Sequence, residues 1–178
     1  MRTHLVAIAG LAFLVLKPGW EVRGQGQVFL HAERVIPFTT PVSADTFRLI
    51  AIGRDTLKAS LTFSIHSSSG RTIFIEKFSA LDLIGFGLNE SDQHRATKAE
   101  ERQFIANRVS HFFDDDRFSS PAIKPTEPAR EFVDLSVWRE LRKDSTAIGF
   151  HFLLGEENNR WIAYSKHQGK TVVYRHSD

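Results

Sequence analysis

The chain has 178 residues, 42% hydrophobic and 25% charged, with a formal net charge of +2. That size predicts a single domain with a real hydrophobic core. Cysteine is absent, which excludes disulfides, thiolate nucleophiles and Cys-ligated metals.

Residues 1–26 differ from the rest. Arg2 gives a basic start, and Leu5 to Leu16 is a run of twelve residues, all apolar apart from Gly10, broken by Lys17-Pro18-Gly19. A helix of that length spans about 18 Å, short of the ~30 Å hydrocarbon core of a bilayer. The run therefore fits the apolar region of a signal peptide better than a membrane span. Gly24 and Gly26 are small enough for a cleavage site, without a clean A-x-A. An uncleaved anchor and a buried segment are the alternatives, so membrane contact is expected only through this stretch. Its three basic residues and one acidic residue, taken from the chain's 23 and 21, leave 20 of each sign. A neutral remainder with no basic cluster argues against a nucleic-acid partner.

From residue 27 a single domain is expected. Gln27 to Ile36 is weakly strand-like, and Pro37 and Pro41 mark residues 37–45 as an extended connector. Phe47 to Ile52 is a strand candidate. Leu57 to His66 alternates apolar and polar residues, Ser67 to Gly70 is a turn, and Thr72 to Phe78 returns. Ala80 to Leu88 predicts a short helical turn or buried loop. Thr97-x-x-Glu100 is a capping-box pattern, followed by Phe104, Ile105, Val109, Phe112 and Phe113 at helical spacing. Asp114-Asp115-Asp116 would end that helix, because carboxylates oppose the negative end of its dipole. Pro121, Pro125 and Pro128 predict a stiff surface excursion over residues 117–130. Asp134 can cap a second helix, Leu135 to Lys143, with Leu135, Trp138 and Leu141 on its inner face.

The C-terminal stretch declares its structure most plainly. Ile148, Phe150, Phe152 and Leu154 alternate with Ala147, Gly149, His151 and Leu153. Gly155 to Asn159 makes a hairpin loop. Arg160 to Lys166 returns with Trp161 and Ala163 on one face and Ile162 and Tyr164 on the other; Thr171 to Arg175 follows a second turn. Two meanders separated by two helices predict an α+β fold, with the helices packed on one face of antiparallel sheet. Asp144 to Tyr174, helped by Phe74 to Leu88, resembles small exported bacterial proteins of unknown function, many of them lipoprotein-like. The chain departs from them in lacking a lipid-acceptor cysteine. The resemblance implies export to the periplasm or cell envelope and carries over no catalytic residue.

Candidate chemistry is sparse. His151 is the one base with a plausible hydrolytic role, with Tyr164, Ser165 and Lys166 expected opposite it. The bland alternative is a histidine on the outer sheet face, and no Gly-x-Ser-x-Gly nucleophile elbow is present. His111 with Asp114 to Asp116 has metal-ligating residue types but no recognised spacing, so no metal is expected. His31 with Glu33 is expected to be a surface pair. Glu156-Glu157 falls in a loop tip, which lacks the cleft glycosidase carboxylates need. Trp161, Tyr164 and Trp138 are candidate binding aromatics, set against the equal ability of such rings to fill a core. Gly85-x-Gly87 is too short to cradle a phosphate, and no cofactor is expected. These features predict an exported, non-enzymatic domain that binds a partner protein or an envelope component. An inhibitor or immunity-type protein that blocks a partner, and a hydrolase using His151, are the alternatives.

Overall fold

The computed structural model describes residues 27–84, 88, 96–129, 134–155 and 158–177. The signal-peptide reading of residues 1–26, the Gly85-x-Gly87 motif and Glu156-Glu157 lie outside them. The first four strands are β1 (Gln27–Ile36), β2 (Asp45–Gly53), β3 (Ser60–His66) and β4 (Thr72–Ser79). They form an antiparallel meander in chain order. Its inner face carries Phe47, Leu49, Ala51, Leu61, Phe63 and Ile65, all essentially inaccessible. Strand period two places them together, and the register sets Leu49 opposite Phe63. β1, which shows only a weak strand pattern, is a full edge strand with Leu30, Ala32 and Ile36 packed on this core. The strand expected from Leu57 begins at Ser60. Before it, Asp55 caps a 3-10 turn over Thr56–Lys58 by accepting from the Leu57 amide at 3.2 Å.

The second sheet is β5 (Phe118–Ser119), β6 (Gly149–Leu154), β7 (Asn158–Ser165) and β8 (Lys170–Ser177), again antiparallel in chain order. Phe150, Phe152 and Ile162 face the first sheet. Phe63 meets Phe150 at 5.5 Å and Phe152 at 5.3 Å between ring centroids, both edge to face, the arrangement that ring quadrupoles favour.

Two helices complete the α+β fold. α1 (Lys98–Ser110) carries the expected capping box: Glu100 N–H donates to Thr97 Oγ1 at 3.3 Å, and Thr97 N–H donates to Glu100 Oε2 at 2.7 Å. It buries Ile105 and Val109 in the inter-sheet core and is tied to the 3-10 turn by Arg102, which grips both Asp55 oxygens at 3.0 and 3.1 Å. α2 (Leu135–Lys143) is capped by Asp134 as expected. Its Val137, Trp138 and Leu141 cover the opposite face of the second sheet, against Ala147, Ala163 and Tyr174. The helices thus serve two separate apolar clusters. No helix among the described residues is long and apolar enough to cross a membrane.

Three local expectations are corrected. Leu135, expected on the inner face of α2, is 50% exposed, and Val137 is buried with Trp138 and Leu141. α1 ends at Ser110, ahead of the aspartates, and the chain bends so that Phe112 and Phe113 enter the core while Asp115 and Asp116 open a 3-10 turn, Asp115–Arg117. Residues 117–130 are not simply a surface excursion. Phe118 and Ser119 pair with Phe150 and Gly149, and Ala122 and Ile123 are buried. The Ala122 N–H donates to Ala147 at 2.7 Å, and Ala122 O accepts from the Tyr174 hydroxyl at 2.9 Å. The apolar residues flanking the cis Ser120–Pro121 bond draw the segment onto the sheet.

Candidate functional site

β5 is only two residues long, so it stops flanking β6 at Phe150, while β7 continues on the other side. Beyond that point the C-terminal end of α1 and the turn that follows it border His151, Phe152 and Leu153, enclosing a cleft of about 210 Å³. Phe104, Asn107, Arg108 and His111 line it from one side because spacings of three and four residues fall on one helical face. Phe112, Arg117 and Leu83 complete the wall. The Arg108 guanidinium lies over the Phe104 ring, 5.1 Å from its centroid.

The lining is cationic. Arg108 has no acidic partner among the described residues. Burial, and then the charge of Arg117, push its pKa below the ordinary guanidinium value. Arg117 has only a loose contact, 3.9 Å, with the largely exposed Asp116. His111 Nδ1 lies 2.9 Å from both Asn107 O and Ser110 Oγ, so its hydrogen bonds hold the ring to the end of α1. His151 Nε2 donates to Asn159 Oδ1 at 3.0 Å, leaving Nδ1 unprotonated. Burial lowers the His151 pKa, and Arg117 and Arg175 push the same way, against the Asn159 bond and Asp116. The ring is therefore neutral at neutral pH.

His151 also stacks on Trp161, with centroids 4.5 Å apart and planes 18° from parallel. Arg175 lies over the same indole at 4.0 Å. The β6–β7–β8 register sets these three residues in one row across the sheet. A register shift between Trp161 and Ile162 leaves Tyr174 as the extra residue on β8, so that Tyr174 reaches the second cluster and Arg175 reaches Trp161. Of the aromatics expected to bind, Trp161 alone joins His151. Tyr164 faces the other side of the sheet, where its hydroxyl accepts from Arg71 at 3.5 Å. Trp138 is 1% exposed beneath α2. Tyr164, Ser165 and Lys166 do not come opposite His151; the register puts Trp161 there, and Ser165 Oγ donates to Glu140 at 2.7 Å instead.

His111 and Asp114 to Asp116 do not converge on a point: Asp115 is taken by Arg34, and among the described residues no three metal-ligating side chains come together. Glu33 pairs with Arg48 across the first sheet at 2.7 Å. Arg108 and Arg117 are the site residues that sequence reasoning passes over. The Phe104–Arg108–His111 face is legible from helical spacing, but nothing local announces that Arg117 and β6 fold against it. No family model, no curated protein and no solved structure matches the chain.

Proposed function

We propose that the protein is an exported, non-enzymatic binding domain of the cell envelope, and that it takes its ligand in the cleft between α1 and β6. The observation that carries this reading is the composition of the cleft wall. Phe104, Phe112, Phe152, Leu83 and Leu153 supply apolar surface, while two guanidiniums, two imidazoles and one amide supply directional polar groups. Ligand sites are built from that mixture, with few polar groups fixing the orientation of a largely apolar body.

The state of His151 supports binding over hydrolysis. Its hydrogen-bond partner is an amide, and burial, with neighbouring cations behind it, holds its basicity down. A general base needs the reverse, an orienting carboxylate that stabilises the imidazolium. The ring, stacked on Trp161, offers a rigid neutral surface at the edge of the cleft.

The test is an NMR titration of the labelled protein with fractionated envelope extract. Amide shifts are expected around Asn107 to Arg117 and His151 to Leu153. Asn107→Trp, at an exposed position on the rim of the cleft, should abolish them without unfolding the helix. Shifts that map elsewhere and survive Asn107→Trp would overturn the reading.

A further inference from the structure

The class of ligand follows from the charges of the same cleft. Resting on the binding-domain reading above, we infer that the cleft recognises a small organic anion, a carboxylate or phosphate carried on a short apolar body. Three observations support this.

First, the ten lining residues include Arg108 and Arg117 and no Asp or Glu. Among the described acids near it, Asp115 pairs with Arg34, and Asp116, its side chain 79% exposed, makes only a loose 3.9 Å contact with Arg117. Second, both guanidiniums line the same cleft, where burial and then the charge of Arg117 disfavour the charge on Arg108. Like charges held together in a partly desolvated wall are relieved by an anion between them, and planar guanidiniums match the oxygens of a carboxylate or phosphate. Arg108 is also pre-oriented by its stack on Phe104, so ordering it on a ligand costs little rotamer entropy.

Third, size and lining limit the body. A volume near 210 Å³ corresponds to about seven waters at liquid density. That admits one ring or a short chain, not a polymer or a protein loop. Phe104, Phe112 and Phe152 surround that space with ring surface. The acceptor nitrogen left on His151 can take a hydroxyl or amide hydrogen from the ligand, adding selectivity without charge.

The experiment is isothermal titration of the full chain with benzoate, phenyl phosphate and the neutral isostere benzamide. At least one anion is expected to bind, about tenfold or more tighter than benzamide, the margin of one charge-assisted hydrogen bond. Whichever anion is preferred names the head group. Arg108→Gln and Arg117→Gln should each lower the affinity by about tenfold or more, by the same reasoning. Arg48→Gln, on the other sheet and paired with Glu33, should leave it unchanged. The benzamide comparison uses the unaltered protein, so it stands even if an arginine variant folds poorly. Benzamide binding as tightly as the anions, with Asn107→Trp blocking all three, would sink the charge assignment and leave the cleft as a ligand site. No binding by any of the three would overturn the anion class, and the extract titration would then judge the cleft separately.

Discussion

The second sheet has an apolar cluster on each face, and the two are built on opposite plans. On the inner face, Phe47, Phe63, Phe112, Phe113, Phe150 and Phe152 meet ring to ring, with centroids mostly between 5 and 6 Å apart. None of these rings carries a polar atom, so the layer accepts any contact that fills space. On the outer face the small side chains of Ala147 and Ala163 lie with Trp138 and Leu141 of α2, and Gly149 leaves room for Ser119, Ala122 and Tyr174. Polar atoms sit inside that layer. The Tyr174 hydroxyl is satisfied by Ala122, whereas Trp138 Nε1 has no hydrogen-bond partner among the described residues. The difference teaches that one sheet can be held by bulk on one side and by fit on the other, and mutations should separate the two.

The largest effect is expected in the ring layer. Phe63→Ala removes a fully buried ring that contacts Phe47, Phe74, Phe112, Phe113, Phe150 and Phe152. A loss of about 3–5 kcal/mol is expected in urea unfolding, from transfer and cavity terms together. A cost under about 1 kcal/mol would show that the layer collapses around the void and is not packed as described.

The next effect is electrostatic and has opposite signs on the two sides. Asp45, buried at the end of β2, accepts from Thr39 N–H at 2.6 Å, Thr39 Oγ1 at 2.9 Å, Ser68 N–H at 2.9 Å and the Ser43 hydroxyl. Burial alone would raise its pKa; these bonds outweigh burial and hold it below the ordinary carboxylate value. Its stabilisation is therefore complete above about pH 4, the unfolded value, and is lost as pH falls through the folded one. Asp45→Asn should cost about 1–3 kcal/mol at neutral pH and flatten the acid limb of the stability profile. Tyr174, in the outer cluster, has its pKa pushed up to about 12, mainly by burial. Its contribution is present below about pH 10 and lost as the pH rises from there toward the folded value. Tyr174→Phe should flatten the alkaline limb and leave the acid one alone. Acid limbs that coincide for Asp45→Asn and the parent would remove Asp45 from the account.

The inner layer was the more legible of the two in the sequence. Strict alternation along Leu57 to His66 and Ile148 to Leu154 identifies Leu61, Phe63, Ile65, Phe150 and Phe152 as one-faced residues, and all five are buried. The caps at Thr97 and Asp134 are legible because a hydrogen-bonded cap is a local arrangement. The outer layer was half hidden. Asp134 and the Trp138–Leu141 spacing announce α2, but proline content marks residues 117–130 as surface, while the pairing of Phe118 with Phe150 is a contact between residues 32 positions apart. The cleft is hidden for the same reason: its walls come from residues 83, 104–117 and 151–153, which meet only because β5 is short. His151 stands out among its apolar neighbours; Arg108 and Arg117, which give the cleft its charge, look like ordinary solvated arginines in the sequence.

A sharper probe of fit is Gly149. A Cβ at this position would lie 2.6 Å from Ser119 Oγ and 2.7 Å from the Tyr174 hydroxyl. Those distances are well inside contact, so Gly149→Ala should cost about 1–3 kcal/mol through overpacking. The same change at a position governed by bulk would be mild. Combining Gly149→Ala with Tyr174→Phe removes one of the two obstructing oxygens. The double variant should then be more stable than the sum of the single costs, with a coupling of about 0.5–3 kcal/mol. Additive costs would mean that Tyr174 does not press on Gly149, and the close seating of this layer would have another source.

The smallest effect, and the most discriminating, is expected at Trp138. Trp138→Phe deletes the pyrrole half of the indole, which loses buried contact, but it also deletes the N–H that finds no partner. A buried unsatisfied donor costs about 1–3 kcal/mol, comparable to the apolar contact the smaller ring gives up. The two terms oppose, so the net change should lie within about 1 kcal/mol of zero. In the phenylalanine layer no such compensation exists, because no ring there has a polar group to shed. A Trp138→Phe cost as large as that of Phe63→Ala would mean that the indole is held by volume alone, and the two faces of the sheet would then follow one rule.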